Sequence, residues 1–183
     1  MTLIEIVIVL TIMSIVMALG IPHLDLSQYR ADGAAQQVRS VFQTAQRTSL
    51  TRQYDVIVSI DTVQGGLRIA EDMNNNGSIE SNEWKFWRPI GDGNRFTVPP
   101  VTLSNGTTTT SVIGSQLTQV NNLPSVIFHR DGSTSSDAEL YVASTARRRV
   151  DYRAIAVTRS TGRSEVYRLG GVGASATWRV LDR

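Results

Sequence analysis

The chain has 183 residues, no cysteine and a formal net charge of +2, so disulfides and thiolate metal sites are excluded and the overall charge says little by itself. Setting aside a helix of about 50 residues leaves enough chain for one compact head with a buried core. Charge is unevenly spread: residues 147 to 183 hold nine Arg against Asp151, Glu165 and Asp182, a net of +6 that leaves −4 for the rest, which makes the C-terminal portion a candidate basic surface.

The first 22 residues read MTLIEIVIVLTIMSIVMALGIP, and Glu5 is their only ionisable side chain. As a helix this segment is apolar on every face, so it must be buried in lipid or in other protein, and its length comes close to the roughly 20 residues that cross a bilayer. A secretory signal peptide would begin with basic residues. Here the first is Arg30. A plain membrane anchor gains nothing from Glu5, since a carboxylate in an apolar segment costs free energy and by default marks function with a partner.

These residues resemble the mature N-terminus of the type IV pilin and type II secretion pseudopilin family. Its members are cut after a glycine, commonly leave Phe or Met followed by T-L-I-E, and often carry a proline at position 22; here stand Met1, Thr2, Leu3, Ile4, Glu5 and Pro22. The resemblance implies that a short basic leader is removed by a prepilin peptidase and that Met1 is N-methylated. It also implies that Glu5 meets the N-terminal amine of a neighbouring subunit. A buried carboxylate needs a cationic partner, and an α-amino group is the one cation this segment can offer. Met1, Glu5 and Pro22 are therefore the expected assembly residues.

Gly20 and Pro22 should kink or melt the helix locally. Beyond Leu24, Ala31, Ala34, Ala35, Val38, Val41, Phe42 and Ala45 recur at three- and four-residue spacing, with Arg30, Gln36, Gln37, Arg39 and Gln43 between them. That stripe predicts an amphipathic helix packed on the head. After Arg52 the period changes to two: residues 54 to 60 and 66 to 70 read as strands joined by a turn at Gln64-Gly65-Gly66.

Residues 72 to 83, DMNNNGSIESNE, follow the spacing of a calcium-binding EF-hand loop. Asp72, Asn74 and Asn76 occupy positions 1, 3 and 5, Gly77 position 6, Ser78 offers its carbonyl at position 7, and Glu83 is the terminal carboxylate at position 12. The flanks are strands rather than helices, residues 84 to 90 (WKFWRPI) being the second. An Asn/Gly turn held by side-chain to backbone hydrogen bonds needs no metal, and both readings stay open. A loop of this type between strands also resembles the GspH/FimT branch of minor pilins and pseudopilins.

Residues 95 to 103 read as extended, with Pro99 and Pro100 confining them to an edge or bend. Residues 104 to 118, rich in Ser and Thr, read as a loop or irregular hairpin, and Asn105-Gly106-Thr107 as a turn more than a glycosylation acceptor. Strands follow over residues 124 to 130, 138 to 143, 152 to 158 and 163 to 169, with turns at Asp131-Gly132 and Thr161-Gly162. Phe128 to Gly132 is similar to the F-x-x-D-G strand and turn of GspH-type heads, and Gly162-Arg163 to their glycine-arginine turn. The expected architecture is α+β: a filament-core or transmembrane helix half at 1–23, an amphipathic half at 24–52, and a mostly antiparallel β head over 53–183.

No catalytic motif is present, and His23 and His129 are the only histidines. The resemblance implies a structural subunit. Such a chain is held in the bacterial inner membrane before assembly, handled by membrane assembly machinery, and polymerised with itself or with other pilins into a surface pilus or a periplasmic pseudopilus. Two alternatives are a tip component of a secretion pseudopilus and a FimT-like minor pilin binding DNA through Arg147, Arg148, Arg149, Arg159 and Arg163. The fourth position of the G-R-x-R motif of such DNA-binding relatives is Glu165 here.

Overall fold

The computed structural model describes residues 2–20, 26–114, 117–146, 148–171 and 176–181, with the backbone alone for 18–20 and 149. Met1, His23, Pro22 and Arg147 lie outside the described residues, as does the expected break around Pro22.

The N-terminal segment forms α1 (Leu3–Gly20). Among the described residues no helix is long and apolar enough to cross a membrane. At about 1.5 Å per residue α1 reaches roughly 27 Å, short of the ~30 Å hydrocarbon layer. The expected span at 1–23 is thus described as helix over Leu3–Gly20 only.

Helix α2 (Ser27–Arg52) ends at Gln53, which takes a left-handed conformation (φ 60°) and donates its N–H to the Ser49 carbonyl at 3.0 Å. Its buried side chains are Ala31, Ala34, Ala35, Val38, Phe42, Ala45 and Ser49, so the stripe read from the sequence is the face that packs, with Val41 half-buried beside it. Alanines along this face let the strands approach closely, and Phe42 fills the centre against Phe128, ring centroids 5.8 Å apart.

The head is two antiparallel sheets of five strands each. The first has the order β3-β2-β1-β6-β5, from β1 (Asp55–Asp61), β2 (Gly66–Asp72), β3 (Lys85–Pro89), β5 (Thr118–Val120) and β6 (Leu123–Phe128). The second has the order β10-β9-β8-β7-β4, from β4 (Asn94–Phe96), β7 (Ala138–Ser144), β8 (Arg153–Val157), β9 (Ser164–Gly170) and β10 (Thr177–Val180). One core joins α2 to both: Val38, Phe42 and Ala45 meet Val56, Val58 and Phe128 of the first sheet and Leu140, Val142, Ile155 and Val166 of the second.

Three expectations need correction. The extended segment at 95–103 keeps strand geometry only to Phe96, because Pro99 and Pro100 have no N–H to give a ladder. The loop read through residue 118 yields to β5, which turns into β6 at Asn121 and Asn122. Both asparagines take positive φ (50° and 63°), as a two-residue hairpin requires. The last strand is not the one ending near Leu169, since β10 pairs onto β9 from Thr177 opposite Gly170.

Gln46 on α2 ties the turns of the two sheets together. Its amide nitrogen donates to the Gly132 carbonyl at 3.0 Å and to the Thr161 carbonyl at 2.5 Å. Gly162 lies in this clamp at φ +62°, where an added Cβ would fall 2.4 Å from the Gly132 carbonyl oxygen and 2.6 Å from the Gln46 amide nitrogen. Gly162→Ala should therefore cost about 2 kcal/mol, combining left-handed strain with displacement of a backbone carbonyl. Chemical denaturation reads this as a lower midpoint at unchanged slope; an unaltered midpoint would show that the clamp is slack.

Asp61 closes the β1–β2 turn. Its carboxylate accepts the N–H of Val63 at 3.1 Å and of Gln64 at 2.8 Å, and pairs with Arg68 at 2.7 Å. The Gln64 N–H, followed by the Arg68 guanidinium, holds its pKa below the usual carboxylate value against the opposing effect of burial. A depressed folded pKa means that the unfolded chain binds the proton first. The stabilisation is therefore complete above the ordinary carboxylate range and fades as pH falls through the folded value. Asp61→Asn should lower the thermal midpoint at pH 7 and converge on the wild type as the pH drops below about 4. A gap that stayed constant with pH would remove the assignment.

Candidate functional site

Every side chain described in α1 is exposed on the single chain, Leu3 by 82% and Val16 by 64%, and none belongs to the core of the head. Such an all-apolar exposed helix lacks the polar face with which a surface helix meets water. Its cover must come from outside the chain.

Glu5 has a local role that the apolar pattern conceals. Its Oε2 accepts the Thr2 backbone N–H at 3.0 Å. Thr2-Leu3-Ile4-Glu5 has the spacing of a capping box and makes its returning half, in which the carboxylate reaches back to satisfy a donor that the first turn leaves without a partner. The T-x-x-E spacing carried this signal in the sequence. A carboxylate at a helix N-terminus also suits the positive end of the backbone dipole. One oxygen of Glu5 is thus held by its own chain, and the residue is exposed on the single chain.

The loop between β2 and β3 wraps around Asp72, which is fully buried. One Asp72 oxygen accepts the Asn76 N–H at 3.1 Å and the other the Gly77 N–H at 2.7 Å. Asn74 Oδ1 accepts the Asn76 N–H at 3.1 Å, and Asn76 Oδ1 accepts the Ser78 N–H at 2.8 Å. Asn75 (φ 56°) and Gly77 (φ 74°) make the tight reversal. At the far end Glu83 Oε2 accepts the Glu80 N–H at 2.9 Å. Among the described residues no three His, Cys, Asp or Glu side chains gather as a metal-holding group.

Of the arginines considered for nucleic acid, Arg148, Arg159 and Arg163 are the ones whose side chains the structure describes. Arg148 precedes a short 3₁₀ turn (Arg149–Asp151) at one end of β8, while Arg159 and Arg163 flank the turn at its other end. Arg163 pairs with Glu165 at 2.9 Å. Two further arginines of the basic segment serve the fold: Arg153, fully buried, donates from Nε to Asp32, and Arg168 donates to the other Asp32 oxygen at 2.7 Å. Asp151, also fully buried, accepts from Ser27 and Ser144, each at 2.9 Å. The sequence could not show that a third of its positive excess is spent in these pairings, because Asp32 lies far away along the chain.

His129 holds Asp55 at 2.8 Å beside the β6 turn, an arrangement that fixes a strand end rather than poising a base in a cleft. The Asn105-Gly106 segment is a turn, with Asn105 Oδ1 accepting the Thr107 N–H at 3.1 Å and Gly106 at φ +67°.

No protein-family model and no characterised sequence matches the chain. Its fold is shared with the minor pseudopilin EpsH of the Type 2 Secretion System of Vibrio cholerae, at a TM-score of 0.51 and 9% identity over 83% of this chain and 96% of that one. The type IV minor pilin FimU of Pseudomonas aeruginosa aligns over 82% of this chain and 92% of its own, at a TM-score of 0.49 and 11% identity.

Proposed function

We propose that the chain is a structural subunit of a pilin-type filament, held together without covalent bonds by bundled α1 helices with the β heads on the outside. The observation that carries this reading is α1 itself: apolar on every face, exposed at every side chain described, and absent from the core of the head. Burying such a helix among copies of itself is favourable by about 25 cal/mol per Å² of apolar surface removed from water. The shared fold with a minor pseudopilin supports the same role. The N-terminal T-L-I-E and the exposed Glu5 carboxylate suit contact with the amine of the next subunit. Before assembly the apolar segment would be stored in the inner membrane, and the mature chain would reach a surface or periplasmic filament.

Negative-stain microscopy of material released from producing cells tests the reading. Long fibres decorated by antibody along their length support an abundant subunit, and label confined to one end supports a tip component. Label found only on dispersed heads would overturn it. DNA capture has weaker support, because Arg148 precedes β8 while Arg159 and Arg163 follow it, and Arg163 already holds Glu165.

A further inference from the structure

The loop Asp72 to Glu83 is not absorbed by filament assembly, and it contains one group that the fold leaves unsatisfied. Glu83 is 6% exposed, its Oε2 is held by the Glu80 N–H, and its Oε1 is buried without any hydrogen-bond partner. A buried carboxylate oxygen left bare carries a desolvation penalty unless something positive meets it.

We propose that residues Asp72 to Glu83 bind one Ca²⁺ ion, with the free Glu83 oxygen as a ligand. Three features of the loop converge on this. The spacing matches D-x-[DN]-x-[DN]-G-x₅-E at every specified position. Asp72 is fully buried and already oriented, its oxygens fixed by the Asn76 and Gly77 N–H groups, while each oxygen keeps a second lone pair for a cation. Gly77 takes the left-handed conformation that the turn at the sixth position requires.

The donors are all oxygen: the Asp72 and Glu83 carboxylates, the Asn74 and Asn76 amides and the Ser78 carbonyl. That set selects a hard cation over Zn²⁺, which prefers nitrogen and sulfur. Donors spread over a flexible loop of this length suit the six to eight ligands of Ca²⁺ better than the tight octahedron of Mg²⁺. Two of the side-chain ligands are neutral amides, so the affinity belongs with extracellular modules in the range of about 10⁻⁴–10⁻³ M.

The ion would act on the sheet edge. Asp72 ends β2, the Glu71 N–H bonds the Trp84 carbonyl just before β3, and Ile79 packs on Ile57, Val120 and Ile127. Fixing both ends of the loop to one ion therefore stiffens the β2–β3 hairpin where it faces out from the core.

The test is calorimetric titration of the full chain, EDTA-stripped and held in detergent micelles, with CaCl₂. One saturable site is expected, together with a rise in the thermal midpoint of roughly 5–10 °C at hundredfold saturation. Glu83→Gln keeps an oxygen for the Glu80 N–H and removes the charge, so its melting curve in EDTA should match the wild type while its calcium response is lost. Substitution of MgCl₂ should give a much weaker response. A silent wild-type titration, or a Glu83→Gln chain that binds calcium as the wild type does, would overturn the proposal. Filament formation is read separately and does not enter these outcomes.

Discussion

A chain carrying Glu5→Gln should fold its head as the wild type does and yet form no fibres, or fibres reduced by two orders of magnitude or more. Glutamine at the third helical position keeps the capping box, since its amide oxygen still accepts the Thr2 N–H that Glu5 holds at 3.0 Å. The substitution therefore removes the negative charge while leaving the local cap in place. In a bundle of apolar helices the amine that faced Glu5 would be left as a buried, uncompensated cation. Breaking a buried pair in this way costs about 3–5 kcal/mol, which is a loss of roughly two to three and a half orders of magnitude in each subunit's affinity for the fibre end. Fibre yield by electron microscopy, with circular dichroism as the control for folding, measures the effect. Normal fibres from Glu5→Gln would reduce Glu5 to a helix cap and remove charge pairing from the assembly.

The second large effect is expected at Asp32. This carboxylate receives Arg153 Nε on one oxygen and Arg168 on the other, and Arg153 is fully buried. The remaining Arg153 donors reach backbone carbonyls, Val150 at 2.6 Å, Tyr152 at 2.9 Å and Gln28 at 3.4 Å, so Asp32 is its one bonded counter-charge among the described residues. Asp32→Ala should destabilise the head by about 3 kcal/mol, the lower part of the range for a broken buried pair because Asp32 keeps some solvent contact. For a chain of this size that is a fall of roughly 6–12 °C in thermal midpoint. Replacing the pair together, with Asp32→Leu and Arg153→Met, should cost less than Asp32→Ala alone, because no charge is then left buried. A single variant melting within about 2 °C of the wild type would show that water reaches Arg153 well enough to replace its partner.

The second prediction depends on residues whose neighbours were invisible along the chain. The face of α2 was legible because helical spacing reports directly which side chains share a surface, and Ala31, Ala34, Ala35, Val38, Phe42 and Ala45 are the ones that pack. The strand pairs β1–β2 and β8–β9 were legible because alternation and turn glycines act over a few residues. Strand β5 was hidden by a Ser/Thr-rich approach with little alternation, and β10 is a four-residue edge strand fixed by its ladder to β9. The arginine-rich C-terminal portion suggested a surface, but charge counted along a sequence does not reveal which guanidinium will meet a carboxylate from another element.

Local order is written within a few residues, and there the sequence was sufficient. It determined the greasy helix, the T-x-x-E start, the α2 stripe, the turns and the twelve-residue spacing of the loop from Asp72 to Glu83. Only the tertiary structure decided that Arg153 and Arg168 are held against Asp32, that Gln46 clamps two turns, and that one Glu83 oxygen is buried without a partner. Each of these joins groups distant in the chain or measures burial, and both follow from how α2 and the two sheets close on one core.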